Sequence, residues 1–337
     1  MQALVNHVAE RSQLFLSDDG QSHAILPNGA ATPIYSEDFF TFLHTLAASK
    51  QIEIPNTASL NFTLRGLDAL AHASQQVQPV PLRTFQPDPE TLLLDLHDNF
   101  DAVEITRKSW KVTSNLDVSF ARPSLNLPLP IPEPPQHGLT TYLKQMFRIA
   151  EEPARKIANW LTQALLPCAT PPILVITGEA RDQAAAKIRK IIDPIPQPLF
   201  PFPHTATQMG QLALTNRVLA FALYGNLTQS KQRALNALRT GMAVKLKEVN
   251  KRHSAIFANV ARPIIVTADT EIKIGKHQIT IEINHAGQGD HPQILGALLT
   301  LLAIGLYRAH QPAHETPLTQ MPPSFPFATI QSDVPGP

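Results

Sequence analysis

The feature that most constrains the fold is an alternation of short apolar runs and amphipathic segments between residues 139 and 310. Each apolar run has the length of a buried strand, and the segments between them have the apolar spacing of helices. Strands that alternate with helices form a mostly parallel sheet that is covered by helices on both faces. The predicted strands are 173–177, 218–223, 263–268 and 278–283, and the closing helix is 292–308.

Composition and net charge limit the classes of partner. The chain has 337 residues, of which 43% are hydrophobic, so it can bury the core of one large domain or two ordinary ones. Its 28 basic and 27 acidic side chains leave a net charge of +1. Because the whole protein has almost no net field, a nucleic acid or an anionic surface would have to be bound by a local patch.

Three observations bear on the cellular compartment. The single cysteine, Cys168, excludes a disulfide within the chain and favours a reducing environment. The first residues lack the apolar run of a signal peptide. The most apolar late stretch, residues 294–307, is shorter than the roughly 20 residues that span a bilayer. We therefore expect a cytoplasmic protein without a membrane segment.

Prolines divide the chain into its predicted parts. Residues 1–125 have the patterns of a small α+β domain, including a hairpin around an Asp-Asp-Gly turn. Residues 126–138 are rich in proline, which favours extended backbone, and we interpret them as a linker that does not pack. An α/β domain is predicted at 139–310, and a second proline-rich segment, 311–337, is expected to be a flexible tail.

The segment ILVITGEARDQAAAKIRKIIDP has the order of a phosphate-binding loop: a buried strand, a glycine and a helix. A working loop has the pattern G-x-x-x-x-G-K-[ST], because glycines let N–H groups face the phosphates, a lysine binds them and a hydroxyl holds Mg²⁺. When the pattern starts at Gly178, the second glycine falls on Gln183. The lysine then falls on Ala184 and the hydroxyl on Ala185. Lys187 lies three residues late, about 4.5 Å further along a helix.

The acidic residue that would hold Mg²⁺ is also missing. It belongs at the end of a neighbouring strand. The matching stretch, RVLAFALYG, has Ala222 and Leu223 at that place. The sequence therefore has the outline of a nucleotide site without the groups that bind the nucleotide.

Several stretches, in the same order and over most of the chain, resemble a family of replication ATPases carried by phages and integrative elements. These are P-loop proteins of the helicase-like AAA+ group. ITGEARDQAAAKIRKIIDP resembles the family's loop hGEQGSGKST and the following helix, which ends in IDP, and NRVLAFALY resembles its NxWVLAFDN. RTGMAVKLKEV, ARPIIVTAD and PQILGALLTL resemble its ATGGGFATRELY, ARPVILNGI and PRILGALLDA. Upstream, LDLHDNFDAVEIT and LPLPIPEP resemble its LDLGD...AVEIT and LPLPEP.

The resemblance implies an α/β fold with a P-loop NTPase-like, AAA+-type parallel sheet, but the departures fall on the residues that would contact nucleotide. Ala184 and Ala222 stand in place of the Walker A lysine and the Walker B acid. We therefore interpret the chain as a pseudo-ATPase from a mobile genetic element, a non-hydrolytic scaffold for nucleic-acid binding or assembly, with no catalytic residue and no cofactor. Its vestigial nucleotide site would comprise Gly178, Glu179 and Lys187.

Two alternatives stay open. The first is an active, ATP-dependent, helicase-like replication ATPase with an atypical loop, in which Lys187 or Arg181 replaces the usual lysine and ATP and Mg²⁺ are cofactors. The second is a structural subunit with a convergent α/β fold.

Residues 231–253 carry seven basic and one acidic side chain, a net charge of +6 in a nearly neutral chain. The resemblance places this region near the DNA-facing side of the ATPase module. It therefore predicts a contact with DNA phosphates or with an acidic protein partner, and a solvated face without a partner is the alternative. AAA+-like modules also commonly form rings, so a homo-oligomer is a further expectation. The candidate contact residues are Lys245, Lys247, Lys251 and Arg252.

Two other features are interpreted as structural. The densest histidine cluster, at residues 285–291, is read as a loop, and Cys168 has no second cysteine, so no metal site is predicted. Phe200 and Phe202, in the proline-rich PLFPFP, are expected to pin a connector to the core.

Overall fold

The computed structural model describes residues 2–53, 56–97, 101–114, 116–167, 169–225, 227–241, 243–247, 253–257, 261–275 and 277–309. These residues form a mixed α/β structure with three sheets and a separate hairpin. The helices are α1 (Gln2–Ala9), α2 (Glu37–Ser49), α3 (Thr57–Ser74), α4 (Leu139–Phe147), α5 (Glu151–Leu165), α6 (Arg181–Ile192), α7 (Ala206–Ala213), α8 (Gln229–Thr240) and α9 (His291–Ala309).

The strands fall into the same groups as the sheets. The first group is β1 (Gln13–Ser17), β2 (Ser22–Ile25), β3 (Ala31–Pro33) and β4 (Val77–Gln78). The second is β5 (Thr84–Asp88), β6 (Thr91–Asp95), β7 (Ala102–Ile105) and β8 (Trp110–Thr113). The third is β9 (Ile173–Thr177), β10 (Phe200–Pro201), β11 (Val218–Ala222), β14 (Arg262–Val266) and β15 (Gln278–Glu282). The hairpin is β12 (Ala243–Lys247) and β13 (His253–Phe257).

The first sheet, in the order β3-β2-β1-β4, contains the hairpin that the sequence predicts. Gly20 has a φ of +78° in its turn, a conformation that glycine adopts without strain. Ser36 caps α2 by accepting a hydrogen bond from the N–H of Phe39. Leu14, Phe39 and Leu43 then join one buried cluster beneath the sheet.

The second sheet is the antiparallel meander β5-β6-β7-β8, which the alternating sequence also predicts. Its inner residues, such as Leu94 and Val103, share a buried core with α5 and α9. Trp110 extends this contact, because its Nε1 donates to Thr300 Oγ1 at 3.2 Å. The meander thus packs on helices from beyond residue 138, and the domain boundaries remain a prediction.

The third sheet has the order β10-β11-β14-β9-β15 and is parallel throughout. This confirms the predicted α/β class and its parallel sheet. All five residues of β9 and of β11 are buried, as expected for strands that are covered on both faces. Helices α5, α6 and α9 contribute to the core on one face, and α7 and α8 to the core on the other.

The proline-rich segment 126–138 is extended, as expected, but it is packed, so the expectation of an unpacked linker is wrong. The N–H of Leu127 donates to Pro194, and that of Glu133 donates to Pro292. A Cβ added at Gly296 of α9 would collide with the carbonyl oxygen of Glu133. Residues 311–337 lie outside the described residues.

Two element boundaries differ from the prediction. The long helix that was expected to break near residues 152–153 is two helices, α4 and α5, and the chain reverses at Arg148 with a φ of +50°. Pro153 lies in the first turn of α5, where proline is tolerated. The connector with Phe200 forms the short strand β10, and the ring of Phe202 lies 5.5 Å from that of Phe221, which agrees with a pinning role.

Asp193, which follows α6 in the IDP motif, joins three elements in the interior. Its Oδ2 accepts from the N–H of Val218 at 2.8 Å. Its Oδ1 lies 3.4 Å from Arg83 Nη2, and Arg189 Nη2 lies 3.8 Å from its Oδ2, with all three side chains fully buried. Burial lowers the pKa of Arg189 to about 10. One carboxylate therefore compensates two buried guanidinium groups.

Two further arginines lie at the amino ends of β11 and β14. Arg217 Nε donates to the carbonyl of Ala164 at 3.0 Å, and Arg262 Nη2 donates to that of Leu166 at 2.8 Å. Burial, together with the Arg262 charge, lowers the pKa of Arg217 to about 9. The two side chains satisfy carbonyls at the C-terminus of α5, where a positive charge is favourable. They lie at the edge of the sheet opposite to the candidate site.

Candidate functional site at the carboxyl edge of the parallel sheet

Strands β9, β11, β14 and β15 end at one edge of the sheet, at Thr177, Ala222, Val266 and Glu282. Open α/β sheets bind ligands outside the carboxyl ends of the strands, where the order of connections reverses. Such a reversal occurs at β9, since the chain leaves it for the far edge at β10 and later returns past it to β15. Two adjoining cavities of about 300 and 420 Å³ lie at this edge.

The two cavities together form the carboxyl-edge crevice, and its lining is acidic. Asp182 and Asp269 line the smaller cavity, and Glu179 and Glu282 line the larger one. Arg181 lines both and is the one basic side chain among the described lining residues. Four carboxylates against one guanidinium disfavour a triphosphate, because like charges repel strongly in a partly enclosed site.

The turn between β9 and α6 is held by the segment that follows β15. The N–H of Glu179 donates to Asn284 Oδ1 at 2.9 Å, and the N–H of Ala180 donates to the carbonyl of Ile283 at 3.1 Å. In a phosphate loop such N–H groups face the ligand. Here the chain's own oxygens already occupy them.

Gly178 is required by the same contact. Its φ is +95°, and an added Cβ would lie 2.5 Å from the carbonyl oxygen of Ile283 and 2.6 Å from Asn284 Oδ1. Both features demand glycine without any ligand. The glycine that suggests a phosphate loop in the sequence therefore allows the turn to pack against the end of β15.

The turn is also too short to surround a phosphate. In a P-loop the helix follows the complete motif, whereas α6 begins at Arg181, three residues after Gly178. Ala184, at the Walker A lysine position, is therefore already within the helix and is fully buried in the core. Ala222, at the Walker B position, ends β11 and lines the smaller cavity.

The structure brings together only part of the predicted vestigial site. Gly178 and Glu179 both line the larger cavity. Lys187 does not belong to the lining residues of either cavity. Its charge acts instead at His291, whose pKa is lowered by burial and by Lys190 and Lys187.

Asn284 and Arg181 are contacts that the loop motif does not predict. Arg181 Nη1 donates to the carbonyl of Gly178 at 2.9 Å, so its guanidinium is tied to the turn. Asn284 follows β15 directly, and this position is the available signal, because polar residues after parallel strands meet at one edge. Tyr224, two residues after β11, lines the smaller cavity and is 83% exposed.

The basic segment, residues 231–253, is described only in part. Lys245 and Lys247 lie on β12, but their side chains, like the whole of Lys251 and Arg252, lie outside the described residues. Lys231 Nζ lies 5.0 Å from the centre of the Phe202 ring. Arg239 is buried, and its Nε donates to the carbonyl of Pro171 at 2.8 Å, so it does not belong to a charged surface.

Two searches of the described residues gave no candidates. Within the described ranges, no group of three or more His, Cys, Asp or Glu side chains could hold a metal ion. Among the helices of that part of the chain, none is both long and apolar enough to cross a bilayer.

Comparisons with known proteins give distant similarities in structure alone. No family model matches the chain, and no curated protein matches its sequence. The apo structure of the NrS-1 C-terminal region is similar over 90% of this chain and 68% of that one, with a TM-score of 0.44 and 12% identity. A full-length MCM homologue from Methanopyrus kandleri is similar over 65% of this chain and 58% of that one, with a TM-score of 0.34 and 13% identity. At these values the similarities carry no argument about function, and the fold class rests on the sheet itself.

Proposed function

We propose that this chain is a P-loop-like scaffold that does not hydrolyse nucleotide and acts as a nucleic-acid-binding or assembly subunit of a mobile genetic element. The observation that carries the proposal is the hydrogen bonding of the turn after β9. The N–H groups of Glu179 and Ala180 are bound by Asn284 and Ile283. A triphosphate would have to break these bonds and enter an acidic crevice without a lysine.

ATP hydrolysis tests this proposal directly. We expect no Mg²⁺-dependent turnover above that of a buffer control, with or without DNA, because the groups that stabilise phosphoryl charge are absent. The alternative, an active ATPase, is favoured by one observation: Arg181 lines both cavities beside Asp182. Turnover that is abolished by Arg181→Ala or by Lys187→Ala would establish that alternative and contradict the scaffold.

The proposed DNA contact rests on the charge of residues 231–253. Each Lys or Arg that neutralises a phosphate releases a counterion, so affinity falls as salt rises. Replacement of the four candidate cations by alanine should weaken binding and reduce the slope of log K against log salt by about 3 to 4. Fluorescence anisotropy of a labelled duplex at several salt concentrations measures both. The replaced residues are Lys245, Lys247, Lys251 and Arg252.

A matched control separates this segment from general charge. Four exposed cations from other parts of the chain are replaced by alanine in the control variant, which should retain most of the affinity and the slope. An unchanged affinity in the first variant would contradict the DNA contact and leave an acidic protein as the proposed partner. The control residues are Arg11, Lys50, Arg65 and Lys108.

A further inference from the structure

Strand β15 (Gln278–Glu282) forms one outer edge of the parallel sheet, and its inner edge pairs with β9. Two hydrogen bonds fix the direction of its backbone groups. The carbonyl of His277 accepts from the N–H of Ile173, and the N–H of Ile283 donates to the carbonyl of Thr177. Because the groups of successive residues alternate in direction, the odd-numbered residues of this strand face β9.

The even-numbered residues, Gln278, Thr280 and Glu282, therefore present their N–H and C=O groups to the outside of the sheet. In the described part of the chain, no hydrogen bond reaches these outward backbone groups. The side chains of Thr280 and Glu282 are exposed. Edge strands are usually protected by a proline, a lysine or a bulge, and β15 has none of these. The opposite edge strand, β10, is only two residues long and contains Pro201.

We propose that β15 binds β15 of a second copy of this chain, antiparallel, about a two-fold axis at Thr280. In this register Thr280 lies opposite itself, and Gln278 lies opposite Glu282 of the other copy. Residues that face each other as a hydrogen-bonded pair exchange both bonds. The three outward residues of each strand would therefore form six backbone hydrogen bonds, and the two parallel sheets would become one continuous sheet.

The strand is complementary to itself, which a two-fold interface requires. A Thr–Thr pair is a favourable cross-strand neighbour, and the amide of Gln278 opposite Glu282 avoids opposing two like charges. On the other face Ile281 is buried in the core, so the strand already has a fixed pleat and twist. The inference stands on this edge alone and does not depend on whether the crevice binds a nucleotide.

Sedimentation velocity of the full chain tests the proposal. Because a single strand pair buries much less than a standard interface, we expect a reversible monomer–dimer equilibrium between about 1 and 100 µM. A chain that stays monomeric over this range would overturn the proposal.

Substitutions at the axis make the test specific. Thr280→Lys and Thr280→Glu each place two like charges opposite each other, and each should raise the dimer Kd about tenfold or more. An equimolar mixture of the two variants should restore dimers, because the opposed charges then attract. Thr41→Lys, at an exposed position of α2, adds the same charge away from the edge and should leave the Kd unchanged.

A dimer that forms equally well in the Thr280→Lys variant would overturn the proposal. Thr280→Cys in a Cys168→Ser background gives a second readout if the charged variants do not fold. Opposed residues of a hydrogen-bonded pair have Cα atoms about 5.5 Å apart, which is within the reach of a disulfide. Oxidation should therefore give a covalent dimer, and its absence would contradict the proposed register.

Discussion

Replacing Asp193 with asparagine is expected to lower the free energy of unfolding by about 3–5 kcal/mol, because it leaves buried cations without their counter-charge. Arg83 and Arg189 are both fully buried and share this carboxylate. Asparagine has nearly the same shape and can still accept the hydrogen bond from Val218, so the loss would be electrostatic. The substitution therefore tests the charge of Asp193 rather than its packing.

Urea denaturation followed by circular dichroism measures the effect of Asp193→Asn. The matched control is Asp117→Asn, an exposed position at which the same change should cost less than about 0.5 kcal/mol. A loss of under about 1 kcal/mol at Asp193 would contradict the role assigned to its carboxylate. The position also gives a structural reason for the IDP motif, since this aspartate joins the meander, α6 and β11.

Replacing Gly178 with alanine should destabilise the fold by about 2–4 kcal/mol through strain at positive φ and a clash with backbone. The added Cβ would lie 2.5 Å from the carbonyl oxygen of Ile283, which cannot move without disturbing the end of β15. If the glycine instead served only to admit a phosphate, the substitution would affect ligand binding and leave most of the stability intact.

Gly225 provides the control for backbone strain. Its φ is +85°, close to that of Gly178, but an added Cβ would have no neighbour within 4 Å. Gly225→Ala should therefore cost only about 1 kcal/mol, the contribution of positive φ alone. Equal losses in the two variants, measured by urea denaturation, would contradict the tight contact between the turn and Ile283.

Much of the fold follows from local patterns. The runs that become β9, β11, β14 and β15 are apolar and separated by helical spacing, so they predict a parallel sheet directly. Strand β10 is not predicted, because it consists of a phenylalanine and a proline, and its pairing with β11 depends on tertiary contact. The packing of residues 126–138 has the same cause, since proline sets local extension but not what the segment contacts.

The candidate site was harder to predict than the sheet. Sequence reasoning located the turn at Gly178 and the alanines at the two Walker positions, because a motif is a matter of spacing. It could not show that Asn284, more than a hundred residues later, binds the N–H of Glu179. Lys187 was chosen for its charge, and only the helix direction shows that it lies away from the crevice.

Isothermal titration of the full chain with ATP and Mg²⁺ tests the central claim most directly, which is that the turn after β9 binds the chain itself and not a triphosphate. We expect no saturable heat up to about 1 mM ATP, a limit that corresponds to a binding free energy weaker than about −4 kcal/mol. Saturable binding at one site per chain, lost in the Arg181→Ala variant, would contradict the account and show that the crevice opens to a nucleotide.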